Sequence, residues 1–208
     1  MLRNIIYFSA SIIIFFAGVI LYGIILNIRE DTLQEAMIEK GITQLSNISI
    51  VVDKSTYRIE LYSDTLLIKT YKAVFGKTQG NFKRSKNEKV TPIGNYKICF
   101  MDSNFVYHKF IKINFPNSQV AAEALKYGFI TKQEHDQIVQ SIQDDNCPTQ
   151  ETKLGGNIGI IGIGEFDFVF RNLPFAFNWT DGSIAVSNES IDELYSIVRL
   201  GTSVEIRN

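Results

Sequence analysis

A stretch without a single charged side chain dominates the start of this chain: residues 5–26 read IIYFSASIIIFFAGVILYGIIL. A helix apolar on every side has no face to turn toward water, and this one is long enough to span a bilayer, which takes about 20 residues to cross roughly 30 Å of hydrocarbon. A cleaved signal peptide is the competing reading, but its apolar core is usually about 7–15 residues and a small-residue cleavage site follows it. Here the run is longer and leads into Asn27, Ile28, Arg29, Glu30 and Asp31, with no A-x-A pattern. The sequence therefore predicts a single membrane anchor over residues 1–28. Arg3 precedes the run and Arg29 follows it, so the balance of cations barely selects an orientation.

Beyond the anchor the composition is that of an ordinary globular protein. Hydrophobic residues make up 45% and charged residues 21% of the chain, and a net charge of −1 argues against a nucleic-acid partner. Residues 29–46 read as a juxtamembrane helix and linker, with Asp31 or Thr32 to cap the helix and Gly41 to end it. Residues 47–208 are expected to form one domain with one core. Alternation marks strands at 48–52, 57–61, 66–75, 96–100 and 110–114, with a lysine-rich loop at 77–89. Helical spacing covers 118–143, broken at Gly128, and strand character returns at 157–163. A last helix is capped by Ser187 or Ser190, with Arg199 in its final turn and Gly201 after it, and 204–206 is a closing strand. The fold class is mostly β, of α+β type, with a few packed helices. Two cysteines, Cys99 and Cys147, are too few for a disulfide framework; one bond between them suits an oxidising compartment, but sequence does not establish it.

Two glycine-rich segments stand out as candidate sites. One is Leu154-Gly155-Gly156-Asn157-Ile158-Gly159-Ile160-Ile161-Gly162, and the other runs from Phe177 through Asn178-Trp179-Thr180-Asp181-Gly182-Ser183 to Asn188. Glycine inside a strand marks either close approach of a ligand or a tight turn between core strands. Neither segment has the G-x-x-x-x-G-K pattern of a phosphate loop. No Cys or His cluster has metal-ligand spacing, so neither a metal nor another cofactor is implied.

At these residues the sequence resembles the YkuD-type L,D-transpeptidase catalytic domain, from about residue 47 to 206. The resemblance is carried by the opening segment Ile50-Val51-Val52-Asp53-Lys54-Ser55, by Thr91-Pro92-Ile93-Gly94-Asn95-Tyr96, by Phe115-Pro116-Asn117, and by Leu154-Gly155-Gly156-Asn157-Ile158. It is completed by Trp179-Thr180-Asp181-Gly182 followed by Ile184-Ala185-Val186. The resemblance implies a β-sandwich or barrel with packed helices, and a domain that acts on peptidoglycan stem peptides through an acyl-enzyme on cysteine. It implies a cleft rim that includes Asn157, Gly162, Trp179, Thr180, Asp181 and Gly182, with Lys83, Arg84, Lys86 and Lys89 as candidate contacts to substrate carboxylates.

Two departures bear on activity. Ser183 stands where the family has its nucleophilic cysteine, and Ile161 stands where the family has its histidine. A cysteine thiol ionises near pKa 8.5, whereas serine needs an adjacent general base. Ile161 cannot serve as one. The chain has two histidines. His108 is the candidate substitute base, and His135 reads as part of a solvated helix face.

Three functions are compatible with this pattern. The favoured one is a pseudoenzyme of cell-wall metabolism that binds stem peptides or a wall-enzyme partner. The second is an active transpeptidase or carboxypeptidase using Ser183, and the third is an interaction scaffold with an unused cleft. Loss of both members of a coupled pair, which removes nearly all nucleophilic catalysis, favours the first. A cell-wall role implies a single-pass protein of the cytoplasmic membrane with its C-terminal domain outside.

Overall fold

A computed structural model describes residues 2–27, 31–172 and 176–208. Residues 28–30, where the anchor is expected to give way to the linker, lie outside the described residues. Helix α1 (Leu2–Asn27) contains the apolar run, and Arg3–Ile25 within it is long and apolar enough to cross a membrane. Helix α2 (Leu33–Glu39) begins with a reciprocal cap: the Thr32 hydroxyl accepts from the Glu35 N–H, and the Glu35 carboxylate accepts from the Thr32 N–H. Leu33 and Ala36 are buried, and Leu33 joins the main core. The segment after the anchor is therefore docked on the domain.

Eight strands form one mixed sheet. Its order is β3 (Leu66–Lys72), β2 (Arg58–Ser63), β1 (Ile48–Asp53), β8 (Ser203–Arg207), β4 (Gly94–Phe105), β5 (His108–Ile113), β6 (Gly159–Ile161) and β7 (Ile184–Ala185). β1 runs parallel to β8 and β6 parallel to β7; the other pairs are antiparallel. The period-two pattern is clear in β2, where Ile59, Leu61 and Ser63 are buried between more exposed neighbours. The two edges of the sheet meet. Val74, just past β3, exchanges both backbone hydrogen bonds with Ala185 in β7, at 2.9 and 2.8 Å. This closure curls the sheet toward a barrel and brings residues 74–77 beside 179–185.

Helices α3 (Ser118–Lys126), α4 (Lys132–Gln143), α5 (Asp167–Asn172) and α6 (Asn188–Ile197) complete the domain. Asn117, Thr131 and Ser187 cap α3, α4 and α6 with side-chain oxygens. Ser187 thus takes the cap of α6. That helix ends at Ile197, so Arg199 lies beyond its last turn and donates to the Ser196 and Val198 carbonyls. Cys99 in β4 is disulfide-bonded to Cys147 after α4, across a sequence separation of 48.

Three elements depart from the sequence reading. β4 extends to Phe105 because it pairs with β5 as a long hairpin. β6 has only three residues, since its neighbour β7 has two. α5 was not anticipated: Phe166, Phe168 and Phe170 alternate with Asp167 and Val169, a pattern that gives no helical stripe over so short a helix.

Candidate functional site

Strand register decides which side chains face each other at the end of the sheet. In the parallel pair β6–β7, Ile161 is the partner of Ala185. Ser183 immediately precedes β7, and its side chain and that of Ile161 line the same cleft. Ile161, Ala185, Val74 and Phe110 form a small apolar cluster separate from the main core, with Trp179 packed against it. Above this floor lies a cleft of about 330 Å³ lined by Lys77, Lys89, Phe105, Tyr107, Phe110, Asn157, Ile161, Trp179, Thr180, Asp181 and Ser183. A second hollow of about 290 Å³ adjoins it through Asn157, Asp181 and Ser183, and is bordered by Lys83, Lys86, Gly155 and Gly156. A larger concavity of about 800 Å³ between α2, β3 and α6 contains none of these residues.

The loop that presents Ser183 is fastened from several sides. The Thr180 hydroxyl donates to the Ser183 carbonyl at 2.5 Å and accepts from the Gly182 N–H at 3.2 Å. The Asn178 side-chain oxygen accepts from the Phe75 N–H at 2.9 Å, and the Trp179 N–H donates to the Phe75 carbonyl at 3.1 Å. Gly182 has φ of 121°, a conformation open to glycine and strained for other residues. Trp179 meets Tyr107 edge-on at 5.9 Å between ring centroids, and Phe105 stacks on Phe110 at 4.9 Å. These three rings of the β4–β5 hairpin form one wall of the cleft. Hydrophobic patterning alone does not reveal them, because the hairpin reaches the cleft only through strand pairing.

The site is rich in cations. Lys89 lies 2.8 Å from Asp181. That hydrogen bond, against a smaller opposing effect of burial, holds the Asp181 carboxyl below the ordinary aspartate range. Lys83 is buried, and its ammonium donates to the Lys86 and Glu88 carbonyls. Burial pushes the Lys83 ammonium down, with the charges of Glu88 and Asp181 opposing.

Among the described residues no His, Asp, Glu or Lys side chain hydrogen-bonds to the Ser183 hydroxyl, which donates to the Asn157 carbonyl at a long 3.4 Å. Ile161, 5% exposed, lines the same cleft, and the Asp181 carboxylate there is paired with Lys89. His108 does not line the cleft. Its Nε2 lies 2.8 Å from Asp192 Oδ1 on α6, and Lys109 Nζ lies 2.6 Å from the same oxygen. His135 on α4 pairs with Asp136 at 3.0 Å. Gly162 is buried beside the cleft floor, where an added β-carbon would meet the Tyr107 carbonyl oxygen at 2.5 Å. Among the described residues no three His, Cys, Asp or Glu side chains are grouped to hold a metal ion.

Comparison with known proteins gives a consistent result. The YkuD family model, described as the L,D-transpeptidase catalytic domain, matches residues 47–206. No match is found among curated proteins. Among solved structures, the chain is similar to Bd1075 of Bdellovibrio bacteriovorus, with 18% identity over 78% of this chain and 48% of that one and a TM-score of 0.47. It is similar to an L,D-transpeptidase from Mycobacterium tuberculosis H37Rv, with 12% identity over 78% of this chain and 58% of that one and a TM-score of 0.45. It is also similar to the helical cell shape determining protein Pgp2 from Campylobacter jejuni, with 16% identity over 77% of this chain and 47% of that one and a TM-score of 0.48. The chain thus spans about half the length of these proteins.

Proposed function

The chain belongs to the YkuD family of L,D-transpeptidase catalytic domains, and from that premise we propose that it is a membrane-anchored pseudoenzyme that binds peptidoglycan stem peptides without acylating on them. One observation carries this reading: the cleft that Ser183 lines has Ile161 in its floor, and among the described residues the Ser183 hydroxyl bonds only to the Asn157 backbone carbonyl. A serine hydroxyl must lose its proton as it attacks a carbonyl, and a base within about 2.6–3.2 Å has to receive it. Ile161 offers no lone pair. His108 is engaged with Asp192, and the Lys83 ammonium donates to two backbone carbonyls. The Asp181 carboxylate, which shares the cleft, is ion-paired with Lys89, so on this reading the acylation step lacks its proton acceptor while the means of recognition remain.

Recognition would use rim residues named from the sequence together with Lys77 and Tyr107, which the structure adds. Lys77 and Lys89 present positive charge to carboxylates, and Trp179 with Tyr107 offers aromatic faces to the peptide. Asn157, Thr180 and Asp181 supply polar groups at the junction of the two hollows. Anchoring by α1 at the cytoplasmic membrane, with the domain outside, accords with the length of that helix and with the Cys99–Cys147 disulfide, a bond typical of oxidising compartments.

The test is chemical. Native protein incubated with a carbapenem probe should keep its intact mass, while Ser183→Cys combined with Ile161→His should gain the mass of one acyl adduct. Acylation of native protein at Ser183 would overturn the proposal.

A further inference from the structure

We propose that α5, with the turn before it, is a second membrane contact, seated at the boundary between headgroups and acyl chains beside the anchor. This inference rests on the reading of α1 as a membrane span. In helix α5 and its preceding 3-10 turn (Gly164–Phe166), the charged side chains of the helix, Asp167 and Arg171, are engaged with α6, while Glu165 of the turn is exposed. The Asp167 carboxylate accepts from the Asn188 N–H at 2.7 Å, and Arg171 donates to Glu189 at 2.6 Å. Phe170 is buried in the cluster beneath the cleft. The apolar side chains point away: Phe166 is 73% exposed, Phe168 60% and Val169 47%. Three large apolar side chains exposed together are costly in water and commonly mark a contact surface.

The position of this surface identifies what covers it. Helix α1 packs on α5 near Gly23, which is buried, and an added β-carbon there would collide with the Asn172 carbonyl, so the two backbones approach closely. Gly23 lies two residues before Ile25, where the apolar span ends. At about 1.5 Å per residue, α5 therefore meets the anchor roughly 3 Å inside the end of its hydrophobic length. Phe168 is four residues before Asn172 and shares its helix face, about 6 Å along the axis. An interfacial helix buries its apolar face about 5–10 Å into the headgroup and acyl boundary, and Phe168, about 6 Å from the contact at Asn172, is within reach of that zone. An aqueous protein partner would have to displace lipid from the flank of the anchor to reach this side chain. Gly164 also packs against Tyr107 of the cleft wall, so the same contact would set the height of the cleft above the membrane.

The experiment uses the full chain in vesicles of phosphatidylethanolamine and phosphatidylglycerol. Both native cysteines are disulfide-bonded, so one introduced cysteine at a time can carry an environment-sensitive fluorophore: Phe168→Cys, Ile14→Cys in the middle of the span, and the exposed Glu123→Cys on α3. Quencher-bearing lipids with shallow acyl-chain quenchers should quench the label at 168 several-fold more than the label at 123. Deep quenchers should quench the label at 14. A label at 168 as insensitive as that at 123, with 14 still quenched, overturns the α5 contact and leaves the anchor standing. An unquenched label at 14 overturns the anchor and the α5 contact together.

Discussion

At residue scale, Gly182 shows how narrowly the Ser183 loop is built. A β-carbon added there would meet the Val90 carbonyl oxygen at 2.8 Å and Ile158 Cδ1 at 2.9 Å, and the backbone has φ of 121°. Gly182→Ala should therefore lower stability by about 1–3 kcal/mol, the usual cost of a residue held in a sparsely allowed conformation. Urea denaturation checks this as a lower midpoint with an unchanged slope. The loop itself was legible because its residues are local in sequence and match a family pattern in order. That Ile161 and Ser183 line one cleft was legible only through the resemblance, since pairing between segments more than twenty residues apart has no local signal. The position of His108 was not legible at all. Its attachment to Asp192 depends on how α6 crosses β5, which no spacing near residue 108 encodes.

At the scale of elements, that crossing is secured by charge. Asp192 on α6 bonds both His108 and Lys109 of β5. Burial raises its carboxyl, but the hydrogen bonds from Lys109 and His108 lower it by more, so it ends below the ordinary aspartate value of 3.8. A carboxyl depressed in the folded state contributes stability that is present above its unfolded value and is lost as pH falls through the folded one. Asp192→Asn should thus have a lower urea midpoint than native protein at pH 7. The gap should narrow as pH drops below 3.8, and it should close once the folded carboxyl is protonated. A gap that stays constant into that acid range would contradict the assignment. Long alternating strands and two of the capped helices were readable because Ile59 and Leu61 carry their own periodicity and Thr32 and Ser187 are among the caps expected. β7, with two residues, and α5, with six, are too short to carry either, and pairing and packing define them.

At the scale of the whole molecule, the segment after α1 is packed onto the domain. The Leu33 N–H donates to Glu193 at 2.8 Å, and Leu33 itself enters the core, so the domain begins almost where the span ends. The disulfide joins β4 to the segment after α4 across 48 residues, and closing a loop of that size typically stabilises a fold by about 4 kcal/mol. On the proposed reading, these ties make the domain a rigid receptor held close to the membrane. Its cleft holds Ser183 and Ile161, which the resemblance sets at the family's nucleophile and base positions, together with lysines and an aromatic wall. The central claim is that this cleft binds stem peptide and leaves it intact. Titrating the detergent-solubilised full chain with a tetrapeptide-bearing muropeptide by calorimetry, and then recovering the ligand for chromatography, measures both halves at once. Saturable binding with the muropeptide recovered unchanged is the predicted result; no saturable binding, or a trimmed or cross-linked muropeptide, would contradict it.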